Sequence, residues 1–353
     1  MNHAPRLAAL ATAVPPYRLR QAEIAHRALR VFDGRRSAIE RLLPVFENAG
    51  IGERHSCVPL DWYEREHDWP ERSTLYVENA VALLERAAKD CLARAACPIE
   101  AVDAIVTVST TGIATPSLDA LLMEQLPFRR DVQRLPIFGL GCAGGVLGLS
   151  RAAALARADP GTRVLFLVVE LCALTFRRGD QSKSNIVAAA LFGDGAAAAL
   201  IGPPDAAAAD RLAIVATGEH TWPGSLDVMG WRVEDDGLGV LFSRDIPTLI
   251  RDEFRAALDR FLAANGRRLA DIDRFVCHPG GAKVIAALEG ALGLPQGTLN
   301  AAREVLHDYG NMSAATVMFV LQRVLDRPVR RYLLSALGPG FTAGFALLEA
   351  PTP

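Results

Sequence analysis

Three short segments carry the residue types from which a covalent catalyst is built. The first is FGLGCAGGVLGL at 138–149, where Cys142 stands among glycines at the start of an apolar run. A cysteine at a helix N-terminus meets unpaired backbone N–H groups and the positive end of the dipole, which lower a thiol's pKa and favour the thiolate. Those N–H groups can also hold the oxyanion of an acyl thioester, and flanking glycines let a substrate come close. Taken alone, the loop fits a small buried core thiol as well. The second segment is RFVCHPGGAKVI at 274–285. His278 ends a strand before Pro279-Gly280-Gly281, which puts an imidazole on a tight turn before a helix, able to pair with a thiolate or donate to a carbonyl. Of the seven histidines only this one sits in such a turn. Cys277 alternates to the other strand face and reads as core. The third segment is DYGNMSAATVMFVL at 308–321. Asn311 is a good helix N-cap there, and its amide could instead donate to a thioester oxygen, with Ser313 orienting the loop.

The first segment has a competing reading. Gly139-x-Gly141-x-x-Gly144 is the dinucleotide fingerprint, with a strand before it, a helix after it and Glu170 ending the next strand. That pattern belongs to NAD(P)- or flavin-binding oxidoreductases. Against it, the motif lies deep in the chain, and a cysteine occupies the turn where a pyrophosphate approaches bare backbone.

The elements that position these loops alternate between helix and strand, which makes the chain α/β. Amphipathic periodicity predicts helices over Gln21–Val31 and Ser37–Asn48, and a long helix capped by Ser73/Thr74 running to about Ala96. A buried strand is expected at the β-branched run Ala104–Ser109 and further strands at Arg134–Phe138, Val164–Glu170 and Ala196–Ile201, with helices at Ser117–Leu126 and Cys142–Ala158. The Pro- and Ala-rich stretch from Gly202 to Asp210 reads as a linker. Beyond it come strands Ala213–Glu219, Arg274–Cys277, Arg330–Ala336 and Phe345–Glu349, and helices Ile246–Asn265, Gly281–Leu292 and Met312–Leu325. Leu7–Val14 after Arg6 has a faint signal-peptide texture but is short and ends in Pro15-Pro16, so a first strand fits better.

A weak internal repeat runs through this order. Gly193-Asp194-Gly195 and Gly338-Pro339-Gly340 each lead into an apolar strand, and each tight turn can shape a cavity. Ser109-Thr110-Thr111 matches Cys277-His278, and Gly141-Cys142 matches Gly310-Asn311. Two similar halves, 1–205 and 206–353, packed about a pseudo-twofold axis would bring Cys142, His278 and Asn311 together.

Composition narrows the class. The chain has 353 residues, half hydrophobic and 22% charged, with a net charge of −2. That is a globular balance with ample core material. Nearly all the basic residues are Arg, which with the many Ala reads as codon bias. No basic domain suits nucleic acid. No run reaches the roughly 18 apolar residues of a membrane span; Glu170 interrupts the longest, Val164–Phe176. A carboxylate there costs several kcal/mol unless paired or protonated, so Glu170 reads as a structural hydrogen-bond partner rather than a catalytic group. The six cysteines contain no CxxC pair, so zinc is unsupported and reduced thiols in a cytoplasm are expected.

The ordered set LGCAGG, ALFGDGAAAA, HPGGAKVI, YGNMSAAT and GPGF resembles the type III polyketide synthases, the chalcone-synthase-like enzymes, from about Ala11 to Glu349. FENAGI at 46–51 resembles the bacterial branch. The resemblance implies a thiolase-like αβαβα fold in five layers and a homodimer. Cys142 matches the acyl-carrying nucleophile. His278 and Asn311 match the pair that activates it and stabilises the enolate formed by decarboxylation. Phe192 matches one gatekeeper phenylalanine, and Val240, with Phe242 close by, falls where the second belongs. A smaller residue there would widen the entrance and favour fatty acyl starters with alkylpyrone or alkylresorcinol products. Thr115 matches the loop residue that reaches into the partner's cavity. Thr110, Ser313 and Gly338-Pro339-Gly340 fall on the cavity's loops, with Ala336 replacing the family's first loop glycine. The lysines that bind CoA phosphates in plant members are absent, leaving Arg54 as the candidate. The implied reaction joins an acyl-CoA starter to malonyl-CoA by decarboxylative Claisen condensation and cyclises the product to a pyrone, resorcinol or phloroglucinol, with no metal or tightly bound cofactor. Three same-fold alternatives are ketoacyl synthase III, whose motifs run HQAN and GNTS, hydroxymethylglutaryl-CoA synthase, which needs a Glu upstream of its Cys, and a silent scaffold.

Overall fold

The computed structural model describes residues 4–31, 44–203, 211–243 and 245–351. Most of the expected linker, the 205/206 boundary and residues 37–43 of the second predicted helix lie outside the described residues. Strands β1 (Arg6–Ala13), β2 (Tyr17–Arg20), β3 (Glu53–Ser56), β4 (Ala104–Val108), β5 (Gln133–Ile137), β6 (Val164–Leu171) and β7 (Asp194–Gly202) precede that boundary. Strands β8 (Ala213–Thr221), β9 (Met229–Glu234), β10 (Gly237–Phe242), β11 (Arg274–Cys277), β12 (Arg331–Gly338) and β13 (Thr342–Glu349) follow it.

Nine strands run in the order β11-β12-β13-β8-β1-β7-β6-β4-β5. The sheet is a doubled one, because β1 and β8 meet through a single residue pair, Arg6 with Ala213. On one side β7 is antiparallel to β1, β6 antiparallel to β7, and β4 parallel to β6. On the other, β13 is antiparallel to β8, β12 antiparallel to β13, and β11 parallel to β12. The same pattern drawn twice is the thiolase-like α/β fold.

The helix after Cys142 (Gly144–Ala158) packs on β4 and β6 of its own half and on β8, β12 and β13 of the other. The helix after Asn311 (Thr316–Leu325) packs on β11 and β12 and also on β1 and β7. These two helices form the middle layer. Helix Trp69–Arg94 covers the outer face of β1, β6 and β7. Beyond the other sheet, helix Arg255–Ala264 stacks Phe261 on Phe345 of β13 at 5.3 Å between ring centroids. Covered on both faces, β6 and β7 are buried at every residue, as expected of strands that read as apolar runs rather than alternating ones. In β7, Ala197 and Ala199 face the middle layer while Ala196 and Ala198 face the outer one.

Two local expectations change. The long helix starts at Trp69, not at Ser73: Asp68 accepts the Glu71 N–H at 2.9 Å as N-cap, and Pro70 occupies the first turn. Thr74 lies inside the helix and donates its hydroxyl back to the Pro70 carbonyl at 3.0 Å, the local bond that makes Thr a poor marker of a boundary. The hairpin β9–β10, the pair β2–β3 and helices Lys183–Leu191 and Asn300–Tyr309 are elements that periodicity did not reveal.

The halves touch through glycine. A Cβ on Gly145 would collide with the Ala314 carbonyl oxygen, and one on Gly338 would sit 2.5 Å from the Leu140 carbonyl oxygen. We predict that Gly145→Ala lowers stability by about 1–3 kcal/mol despite alanine's better helix propensity. Gly290→Ala, in a helix with open space around it, should be neutral or stabilising. Urea denaturation of both variants checks this, and equal midpoints would contradict it.

Candidate active site

The first half supplies a thiol held by a chain of hydrogen bonds. Strand β4 is wholly buried and delivers Ser109, Thr110 and Thr111 at its end. The Tyr76 hydroxyl donates to Ser109 Oγ at 2.8 Å. Thr110 Oγ1 accepts the Gly141 N–H at 3.1 Å, which fixes the turn Gly141–Ala143 and with it Cys142. Behind this turn lies Glu170, fully buried in β6. Its Oε2 accepts the Thr110 N–H at 3.0 Å, and the Leu171 N–H donates to Thr111 Oγ1 at 2.9 Å. Glu170 Oε1 has no partner. Burial pushes this carboxyl up to about 7, against the pull of the Thr110 and Thr111 hydrogen bonds. The structural role read for Glu170 is thus visible as a brace for the cysteine loop.

The second half supplies an imidazole and an amide. His278 donates its backbone N–H to the Ser335 carbonyl at 2.8 Å, and Cys277 turns away into the core beneath the Ser335 hydroxyl. The imidazole is 4% exposed, and neither ring nitrogen has a partner. Two buried unpaired nitrogens cost a few kcal/mol unless a bound molecule satisfies them. Asn311 is stitched to the first half: its N–H donates to the Leu191 carbonyl at 2.8 Å, and its carbonyl accepts the Gly193 N–H at 3.0 Å. Gly310 before it takes φ +69°, and Ser313 after it takes φ +47°, a strained value for a non-glycine residue of the sort that clusters at functional sites. That turn aims the Ser313 N–H at Asn311 Oδ1, 2.8 Å away, while Nδ2 reaches the Gly280 carbonyl at only 3.3 Å. The amide oxygen is therefore occupied and the amide N–H₂ retains donor capacity.

Cys142, His278 and Asn311 line one cavity of about 610 Å³, with Leu191, Met229, Phe242 and Ser335–Leu337 among its other walls. Burial pushes the Cys142 thiol up to about 12, with the Ser313 hydrogen bond opposing it. Burial pulls His278 down to about 3. Desolvation thus opposes charge on both groups and works against the helix end that favours a thiolate.

The other sequence candidates divide. Phe192 is not among the residues lining this cavity, but its ring lies 5.7 Å from that of Phe242, which does line it, and 6.0 Å from Trp231. The residue opposite Phe192 is therefore Phe242, not Val240. Val240 joins the same cluster one strand step back, on the face shared by alternate residues of β10. Where Val240 leads one to expect a wide entrance, Phe242 lines the cavity, and Trp231 pairs with Val240 across the hairpin. Gly338, Pro339 and Gly340 do not face the cavity; a Cβ on Gly141 would meet Pro339 Cδ at 2.5 Å, so this turn backs the cysteine loop. Thr115 is exposed on the loop after β4 and outside its own chain's cavity. Arg54 is not placed to bind a phosphate. It is 3% exposed and gives its N–H groups to the carbonyls of Ala189, Ala190 and Phe192 at 2.7–2.8 Å and to Gln21 Oε1. It caps the C-terminal end of helix Lys183–Leu191 and holds Phe192. The dinucleotide reading fails on the same packing, because the Gly141 turn and the helix start are covered by Pro339 and Ala314 rather than open to a pyrophosphate.

The family model for chalcone and stilbene synthases matches this chain twice, the N-terminal domain over residues 3–205 and the C-terminal domain over 213–350. The chain belongs to the chalcone and stilbene synthase family, the type III polyketide synthases. It is 39% identical to a putative chalcone synthase of Bacillus subtilis, over 96% of this chain and 97% of that protein. It is 38% identical to a 1,3,6,8-tetrahydroxynaphthalene synthase of Streptomyces peucetius, over 97% and 92%. The crystal structure of the tetrahydroxynaphthalene synthase of Streptomyces coelicolor superposes with a TM-score of 0.90 at 26% identity, over 99% of this chain and all of the other. PKS-I of the brown alga Ectocarpus siliculosus superposes at 0.92 and 27%, over 99% of each. The family assignment sets aside the ketoacyl synthase III, hydroxymethylglutaryl-CoA synthase and scaffold alternatives: this type III polyketide synthase is an acyltransferase-type condensing enzyme.

The buried carboxyl yields a pH-dependent prediction. The folded pKa of Glu170, about 7, lies above the ordinary value of 4.5. The folded state therefore binds this proton more tightly, and the stability it contributes is present below about pH 4.5 and lost as pH rises through 7. Glu170→Gln lacks that loss, so its stability relative to the unsubstituted protein should rise between pH 5 and pH 8 by up to about 3 kcal/mol. Urea denaturation at the two pH values measures it; a difference that stays constant with pH would refute the assignment.

Proposed function

We propose that this type III polyketide synthase carries its acyl chain on Cys142 and extends it with malonyl-CoA by decarboxylative Claisen condensation. One observation carries the reading. A buried thiol, an imidazole with two unpartnered nitrogens and an amide with free donor capacity line a single cavity open to solvent. In the loading step the Cys142 sulfur attacks the starter's thioester carbon. Its proton passes to a nitrogen of neutral His278 and then to the departing CoA sulfur. In the extension step the malonyl thioester oxygen sits against His278 and the Asn311 amide. The bond to the carboxylate breaks, CO₂ leaves, and the electron pair becomes an enolate whose oxygen those donors hold. The enolate carbon attacks the Cys142 thioester carbon and releases the sulfur, which leaves the lengthened chain on CoA; the Cys142 sulfur then attacks that new thioester carbon and CoA departs as its thiol. A His278 kept neutral by burial suits both steps, since one nitrogen accepts and the other donates. Every step balances with CoA thioesters alone.

Cyclisation of the final chain to an aromatic or pyrone product is part of the proposal, supported by the likeness to the tetrahydroxynaphthalene synthase of Streptomyces peucetius. A specifically fatty starter loses its main support with the Phe242 correction. We further propose a homodimer. Strand β5 is the edge of the sheet and is exposed along its length, and Ile113, Leu135 and Phe138 are exposed apolar residues beside it. Pairing through that edge would carry Thr115 toward a second subunit. No helix among the described residues is long and apolar enough to cross a membrane. None of the six cysteines is in a disulfide, which supports a reducing cytoplasm as the site of action.

The test separates the two chemical steps. Cys142→Ala should abolish polyketide formation from acyl-CoA and malonyl-CoA while CO₂ release from malonyl-CoA continues. His278→Ala should lower CO₂ release about 10²-fold or more. Product mass spectrometry over a panel of acyl-CoA starters, with a parallel CO₂ assay, reads both. Full polyketide synthesis by Cys142→Ala would overturn the reading.

A further inference from the structure

The mouth of the cavity carries a pattern that the catalytic reading does not use. Among 38 Lys and Arg residues only three are lysine, at positions 89, 183 and 283. Two of these three, Lys183 and Lys283, line the cavity that holds Cys142. They come from different halves of the fold. Lys183 opens the nine-residue helix Lys183–Leu191, and Lys283 lies in the first turn of the eleven-residue helix Ala282–Leu292. Both side chains are exposed at the rim, whereas Cys142, His278 and Asn311 are buried at the base. Neither lysine forms a salt bridge among the described residues, although Lys89, the third, pairs with Glu85 at 2.6 Å. No Asp or Glu lines the cavity among the described residues.

The helix of Lys283 has no side-chain cap, since Gly281 stands at its N-cap, and Gly280, Gly281 and Ala282 line the same wall. Its first N–H groups are left for a ligand, and the dipole there favours negative charge. At the base of the same cavity, the buried unpartnered nitrogens of His278 independently mark the space as one a ligand fills. A protein of net charge −2 thus presents an unneutralised cationic rim above an apolar passage to a nucleophile.

We propose that Lys183 and Lys283 bind the phosphate groups of the CoA carrier, the role for which Arg54 is too deeply buried. This rests on the reading of Cys142 as the acceptor of acyl groups from CoA thioesters. The lysines act on the carrier and not on the reacting atoms. Their contribution should therefore appear as a preference for substrates that bear phosphates and should weaken with ionic strength.

The experiment compares malonyl-CoA with the malonyl thioester of N-acetylcysteamine, which has the same reacting atoms and no phosphate. Steady-state kcat/KM is measured for each substrate with the full chain, its Lys183→Gln, Lys283→Gln and double variants, and Lys183→Arg. The ratio of the two kcat/KM values should fall about tenfold for each lysine removed and about a hundredfold in the double variant at low salt. Lys183→Arg should keep most of it. Malonyl-dephospho-CoA separates the 3′-phosphate from the diphosphate: the lysine that serves the former loses its effect on this substrate. An unchanged ratio in the double variant, or an equal loss on both thioesters, would overturn the proposal. Calorimetric titration of free CoA distinguishes this failure from failure of the functional reading. If CoA binds and the double variant weakens it while the unsubstituted protein makes no polyketide, the rim stands and the condensation falls.

Discussion

Neither half of the chain can build the reactive cavity without the other. The Asn311 backbone hydrogen-bonds to Leu191 and Gly193 of the first half, so the amide is placed by strands on the opposite side of the seam. In return, the turn that carries Cys142 rests on Pro339 and Gly338 of the second half. Each reactive loop is therefore backed by its partner's Gly turn, and the contact tolerates no added methyl on Gly145 or Gly338. Close packing of this kind transmits small errors. It also holds three groups from distant positions in the chain around one cavity.

The second governing term is desolvation. The same burial raises the Cys142 thiol, lowers the His278 imidazole and keeps Glu170 near neutrality. Neutral groups cost less to bury there than charged ones. Under the proposed chemistry charge develops on the substrate, as an enolate or a carboxylate, where preoriented donors in low dielectric are most effective. Glu170 can be tolerated in the middle of a buried strand because one oxygen is hydrogen-bonded and its proton is retained up to about pH 7.

Much of this was legible in the sequence, and the gaps have physical causes. Cys142, His278 and Asn311 were visible because the chemistry demanded unusual loops, with glycines and a proline around one reactive residue each. The buried strands showed as apolar runs and the repeat as matched turns. Val240 misled because linear register locates a Cα and not the reach of a ring two residues on; Phe242 fills the volume. Arg54 misled because a cation near a helix reads as a surface charge, whereas here it caps carbonyls from inside. The start of the long helix was misplaced because Ser73 and Thr74 look like caps, while Asp68 and Pro70 do the capping. The hairpin β9–β10 carries Trp231 against Phe192, yet its strands are half-exposed and show no clean alternation.

The doubled sheet has one more consequence. Cys142 and Asn311 occupy equivalent places, each in or just ahead of a short 3₁₀ turn that opens a middle-layer helix. A symmetric pair of halves would have put the same residue at both and created two facing attachment points. Here one place holds a sulfur and the other an amide, which cannot carry an acyl chain as a thioester. Under the proposed chemistry the asymmetry sets a stoichiometry: each polypeptide tethers one intermediate at a time, and successive units queue for a single anchor rather than pass between two.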